Sequence, residues 1–189
     1  MAGTSNFHIV GRTADLPDPL RDYNWQVFID RPTCCTNWDS NQMLLRAQSA
    51  NIPGKAITTI DTAFMGMKQF FSANATLDNT LAVEFLEFED RKTDKYLREW
   101  LDAIFNTNDA NSTAGGHSSA RHKGEYATTM KVTTYNQDGT DNAVITFHNT
   151  WLKDFGAVSL AYPGGAGVKY SANFSWDYYS VEYKDVVTR

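Results

Sequence analysis

A chain of 189 residues with 42% apolar side chains has the size of one globular domain around one core, because at this length folding buries about two-thirds of the unfolded surface. Its formal charge of -5, with acids and bases interspersed, excludes the basic excess that tight binding to a phosphate backbone requires. No stretch approaches the roughly 20 apolar residues of a membrane helix and no basic, then apolar, leader is read at the start; the adjacent Cys34 and Cys35 supply neither a disulfide framework nor a spaced metal or redox pair, so a reducing cytoplasm is expected.

Residues 1–22 are polar and carry Pro17 and Pro19, which bias the residues before them toward extended backbone, so they read as an N-terminal arm. From Tyr23 the chain alternates, with Tyr23, Trp25, Val27 and Ile29 on one side, as in a half-buried strand. Residues 31–41 read as a loop. A second strand is predicted over residues 43–49, ending at Ile52-Pro53-Gly54, where proline removes a ladder donor and glycine permits a turn. Residues 56–61, rich in Ile and Thr, favour another strand. Met65 and Met67 then flank Gly66 at a predicted hairpin tip, with the return strand starting near Lys68. Asp78-Asn79 is a turn ahead of a strand over residues 81–88.

Between residues 91 and 106 the period changes. Tyr96, Leu97, Trp100, Leu101, Ile104 and Phe105 form one apolar helix stripe, with Asp90, Thr93 and Asp94 placed to cap its start. Residues 107–124 turn to Asn, Ser, Thr, Ala and Gly and read as a long flexible loop. Asp138-Gly139 sits between two Thr- and Val-rich runs, 128–135 and 144–152, as the turn of a hairpin. After Pro163-Gly164-Gly165, one aromatic strand over residues 170–179 completes the set. Many strands, one principal helix and no βαβ alternation give a mainly β chain. The expected architecture is an antiparallel sandwich or barrel with the helix packed outside, in a single domain over 23–182 followed by a short tail, 183–189.

Candidate chemistry is thin. His117 and His122 sit in the Gly/Ser-rich loop around Arg121 and lack the further ligands a structural metal needs. Glu84, Glu87, Glu89 and Asp90 include the paired carboxylates of a glycosidase, but read more simply as outward charges on a strand leading into a helix. No Gly-x-Ser-x-Gly elbow accompanies the serines. Trp25, Trp151 and Trp176 lie on alternating strands and read as core or interface aromatics; Trp38, in a polar loop, reads as an exposed anchor for a partner.

Several segments carry a resemblance. Ala50-Asn51-Ile52-Pro53-Gly54 closes a strand, Phe64-Met65-Gly66-Met67-Lys68 forms a hairpin tip, and Leu81-Ala82-Val83-Glu84-Phe85 precedes the helix. Residues 152–160 precede the closing Phe174-Ser175-Trp176-Asp177-Tyr178-Tyr179. In this order the chain resembles the tail tube protein of contractile-tailed bacteriophages.

The resemblance implies a structural virion protein, not an enzyme, with no cofactor. Its subunits would form stacked hexameric rings in which two hairpins per subunit, here residues 43–71 and 128–152, join those of neighbours into a ring-wide β-barrel. Implied partners are further copies of itself, the tail sheath protein, a baseplate or tube initiator and the tape measure protein, with DNA in transit held by no specific binding and no membrane insertion. The location implied is the virion tail, assembled in the host bacterial cytoplasm. The expected assembly surface is Ile52, Pro53, Gly54, Met65, Gly66, Met67 and Lys68, since methionine adapts to imperfect gaps. The family's channel is generally acidic, whereas the charges within these two hairpin segments are sparse and of both signs. Two alternatives stay open: the inner tube or tube initiator of a phage-like contractile injection system, and a monomeric β-sandwich module that binds glycans.

Overall fold

A computed structural model describes residues 21–105, 122–157 and 167–184. Nearly all of the expected N-terminal arm, residue 106 at the expected helix end, residues 107–121 of the long loop, the Pro163-Gly164-Gly165 turn and the last five residues lie outside the described residues. The elements are β1 (Trp25–Ile29), α1 (Ser40–Arg46), β2 (Ala47–Asn51), β3 (Lys55–Phe64), β4 (Met67–Leu77), β5 (Thr80–Leu86), α2 (Lys92–Ile104), α3 (Lys123–Tyr126), β6 (Thr128–Tyr135), β7 (Asp141–Phe155), β8 (Lys169–Ser175) and β9 (Tyr178–Tyr183). The chain is mainly β, as its sequence pattern indicates, and its sheets are antiparallel throughout.

Seven strands form one sheet, six of them along the path β1-β6-β7-β8-β5-β2 and the seventh, β9, added to β7; β3 and β4 form a separate two-stranded sheet. The long β7 serves two ladders. It pairs with β6 and β9 up to Thr150 and with β8 from Trp151 onward. The change comes at Asn149, whose φ of 54° is a left-handed conformation that asparagine tolerates better than most residues. There Asn149 donates to the Asp177 carboxylate (3.0 Å), and the Asp177 N–H donates to the His148 carbonyl (3.2 Å), so the break between β8 and β9 falls against the bend in β7. The expected single strand over 170–179 is therefore two strands, interrupted at Trp176-Asp177. The path does not close into a barrel: β1 and β2 are its two ends.

Period-two burial places Leu81, Val83 and Phe85 of β5 and Ala172 and Phe174 of β8 in the core. Tyr96, Leu97 and Trp100 of α2 close over it, and the Trp100 ring lies 5.8 Å from that of Phe174. Capping is shared: Asp90 accepts from the Lys92 N–H (3.4 Å), as expected, and a residue ahead of the expected set adds to it. Glu87, from the end of β5, accepts hydrogen bonds from the N–H groups of Thr93 (3.3 Å) and Asp94 (2.8 Å), while the residue at the cap position, Arg91, makes no side-chain cap.

Two further readings are corrected. Residues 43–46, expected in a strand, belong to α1, which Asp39 caps by accepting from the N–H groups of Asn41 (3.0 Å) and Gln42 (3.3 Å); Met43 and Arg46, three apart, turn inward. Trp38, expected exposed, is 6% exposed and packs 5.6 Å from the ring of Tyr96 and 5.3 Å from that of Trp100. The polar residues before it serve to hold the loop: Thr36 and Asn37 face outward to Glu99 of α2, which accepts from both of their backbone N–H groups, and this ties the loop down over the indole. The indole N–H itself donates to the Ile29 carbonyl (3.4 Å).

Candidate functional site

The β3–β4 hairpin is the one described sheet with no core of its own. All ten residues of β3 and all but Ala73 in β4 are exposed. An isolated two-stranded hairpin is marginal in water, yet this one carries Ile57, Ile60, Phe64, Met67, Phe70 and Phe71, each more than half exposed. Exposed apolar area on this scale marks an association surface. Both outer edges of the hairpin also lack strand partners among the described residues, which leaves two rows of backbone donors and acceptors open to another chain.

Pairing makes the hairpin two-faced. Between Thr59 and Phe64 the register Ile60↔Phe71, Thr62↔Gln69 and Phe64↔Met67 is uninterrupted, and directly paired residues share a face. That face is largely apolar. The other carries Thr59↔Ser72, Asp61↔Phe70 and Ala63↔Lys68, with an exposed Lys68–Asp61 ion pair at 3.3 Å. Nearer the base, the register slips between Ile57 and Thr59, and Thr58 closes the irregularity: its Oγ1 accepts from the Asn74 N–H (3.1 Å) and donates to the Asn74 carbonyl (2.9 Å).

The sequence-predicted assembly residues fall at two ends of this element. Met65, Gly66, Met67 and Lys68 make its tip, and Ile52, Pro53 and Gly54 lead into its base. Met65 and Gly66 have φ of 49° and 80°, the two left-handed residues of a type I′ turn. Gly66 needs no explanation there. Met65 does, being a long apolar side chain where asparagine or aspartate is usual, and it is 91% exposed. The apolar face formed by Ile60, Phe64, Met67 and Phe71 is set by the pairing of the two strands rather than by either strand's own pattern. The second expected hairpin, β6–β7, lies within the main sheet, with Met130, Val132 and Phe147 turned into the core.

The other candidates have structural partners. Glu87 is buried against Arg46 at 3.2 Å, Asp90 meets the same guanidinium at 2.6 Å, and Glu84 lies 3.9 Å from Lys169. The hydrogen bond from Arg46 holds the Asp90 carboxyl below the usual aspartate range. Cys35 is buried, and its hydrogen bond with Cys34, together with that burial, pushes its thiol far up, away from the reactive thiolate. His122 precedes α3, whereas His117 lies outside the described residues. No group of three or more His, Cys, Asp and Glu suited to a metal occurs among the described residues. What the arrangement can do is associate, through an apolar face, open strand edges and a projecting tip.

A family model described as phage tail tube protein matches residues 16–182. Three solved structures share the fold at identities low enough that the likeness is one of fold alone. The anti-feeding prophage tube-terminating cap gives a TM-score of 0.60 at 13% identity, covering 91% of this chain and 98% of that one. The sheath-tube complex of an extracellular contractile injection system, PVC, in its extended state gives 0.59 at 11%, covering 88% and 93%. The anti-feeding prophage baseplate gives 0.63 at 8%, covering 89% and 98%. No curated protein matches the chain.

Proposed function

This chain belongs to the phage tail tube protein family, and from that premise we propose that it is a structural subunit whose hexameric rings stack into the inner tube of a contractile tail, the channel for genome ejection. The observation that carries the proposal is the β3–β4 hairpin, apolar on one face and uncovered on both, with its outer edges unpaired. Side-by-side pairing of such hairpins around a ring satisfies the edges and turns the monomer's open sheet into a closed barrel. The apolar face of Ile60, Phe64, Met67 and Phe71 then packs toward protein, and the face with Thr59, Asp61, Lys68 and Ser72 lines the bore. On that face the Lys68–Asp61 pair neutralises itself, which suits DNA passing without being held.

The subunit contributes stiffness and shape rather than catalysis, and its partners are further copies, the sheath, the baseplate or tube initiator and the tape measure protein. The domain limits follow the same reading: an arm over 1–22, a single tail-tube domain over 23–182 that includes the 107–124 loop, and a tail over 183–189. The inner tube of a contractile injection system is the second reading, favoured by the likeness of fold to the tube-terminating cap and the sheath-tube complex. Sedimentation velocity over a concentration series, with and without a tube initiator as nucleus, tests both: ring-sized and larger species are expected, and a monomer at every concentration in both settings overturns them. Genome DNA inside tubes purified from particles separates the two.

A further inference from the structure

The chain's only two cysteines are neighbours, and the loop ahead of α1 turns their sulfurs toward each other. Cys34 Sγ and Cys35 Sγ lie 3.7 Å apart, in hydrogen-bonding contact. In an extended backbone successive side chains point to opposite sides; here the chain turns, because the Cys35 N–H donates to the Pro32 carbonyl (3.1 Å). Both flanks of the turn are held. Arg31 Nε donates to the Cys35 carbonyl (2.8 Å), and Glu99 of α2 accepts from the N–H groups of Thr36 (2.7 Å) and Asn37 (3.3 Å). The two thiols differ in access: Cys34 is half-buried, whereas Cys35 is fully buried in the core.

We propose that Cys34 and Cys35 are a reversible thiol-exchange site for a small soluble disulfide such as oxidised glutathione, which closes them into a disulfide between adjacent residues. The proposal stands independently of the tube reading. Cys34, the accessible sulfur, reacts first. Its thiol gives its proton to water and the sulfur attacks one sulfur of the small disulfide; a mixed disulfide forms on Cys34, and the small thiolate that leaves takes up a proton. Cys35 then gives its proton to water, attacks Cys34 Sγ and expels the second small thiolate, which is protonated in turn. Two protein thiols are thereby oxidised by two electrons, and one small disulfide is reduced to two thiols.

The geometry favours this order. Burial keeps a soluble reagent away from Cys35, so that Cys35 acts only through its neighbour, and the sulfurs are already in contact before the second step. In the resting pair the hydrogen bond with Cys34, ahead of burial, holds Cys35 as the thiol. A Cys34 sulfur bonded to the adduct no longer carries the charge that strengthens that bond. The product is labile, because adjacent Cα atoms across a trans peptide are about 3.8 Å apart, closer than the roughly 4.4–6.8 Å usual for disulfides, and such strain makes the bond easier to reduce. The pair is therefore a dithiol in a reducing compartment and a disulfide in an oxidising one. Closure also draws Cys35 Sγ out of its core packing, so the oxidised protein is expected to melt below the reduced one.

The test is intact-mass spectrometry of the purified, unassembled chain after exposure to oxidised glutathione, removal of the reagent, denaturation and alkylation of the remaining thiols. Wild type is expected to lose two hydrogens, to carry neither glutathione nor an alkyl group, to run as a monomer without reductant, and to recover both thiols in dithiothreitol. Cys35→Ala is expected to retain one glutathione on Cys34, and folded Cys34→Ser to take up none. Glutathione retained on the wild type, two alkylated cysteines, or a disulfide between copies overturns the proposal, as does closure that persists in a large excess of reduced glutathione. Circular dichroism is the folding control for each variant, and the wild-type mass decides by itself where a variant does not fold.

Discussion

Arg46 and Glu87 meet at 3.2 Å with only 4% and 7% of their side chains exposed. The guanidinium also reaches Asp90 (2.6 Å) and Thr93 Oγ1 (3.3 Å) and lies 4.9 Å from the ring centre of Phe88, while Glu87 caps the first turn of α2. One carboxylate thus neutralises a buried cation and satisfies a helix terminus, tying the end of α1 to the start of α2. Removing it leaves the guanidinium buried with only the more exposed Asp90 as counterion. Glu87→Ala is therefore expected to cost about 3–5 kcal/mol, read as a lower urea midpoint at unchanged slope in the unassembled protein.

At the corner of β7, the Lys123 ammonium first and the Asn149 amide second hold the Asp177 carboxyl below its usual range. A depressed carboxylate stabilises the fold fully above its unfolded value of about 3.9, and that contribution is lost as pH falls through the lower folded value. Wild type is thus expected to melt above Asp177→Asn at neutral pH, with the gap closing as pH drops below about 4. Melting curves from pH 7 downward check this; a gap that widens in acid contradicts it.

Trp38 offers a direct contrast between two roles. As a core residue against Tyr96 and Trp100, its truncation to alanine is expected to cost about 3–5 kcal/mol. A surface anchor would lose binding at unchanged stability. Equilibrium unfolding of Trp38→Ala decides between them.

Much of the fold was legible because its signals are local. The α2 stripe, the alternation of β5 and the Asp138-Gly139 turn each follow from a short window of sequence, and the structure places a helix, a strand and a hairpin there. The misses share a cause in tertiary contacts. Met43, Leu44 and Leu45 form a run too short to show a helix period, although Asp39 ahead of Ser40 is the cap signal that identifies α1. Trp38 is buried by a loop whose polarity is spent on Glu99, more than sixty residues away. The break at Trp176-Asp177 answers the bend at Asn149, on another strand. Of the candidate site, the tip was legible from Met65 and Met67 around Gly66. The apolar face was not, since it emerges only from the register that pairs β3 with β4.

The tip separates folding from assembly. Met65 and Met67 touch no core, so Met65→Asp with Met67→Asp is expected to change monomer stability by no more than about 0.5 kcal/mol. The same pair is expected to abolish tubes, because each charge would have to be buried against a neighbour. Comparing melting temperature with the pelleted fraction checks both halves; normal tubes from the double variant would sink the role assigned to the tip.

Electron microscopy of the purified chain, imaged over a concentration series and with a tube initiator as nucleus, tests the central claim most directly. Hollow tubes of stacked rings with sixfold symmetry, their inner wall made of paired β3–β4 hairpins, are the expected result. A particle that stays monomeric with and without the nucleus, its β3–β4 hairpin uncovered, would contradict the account.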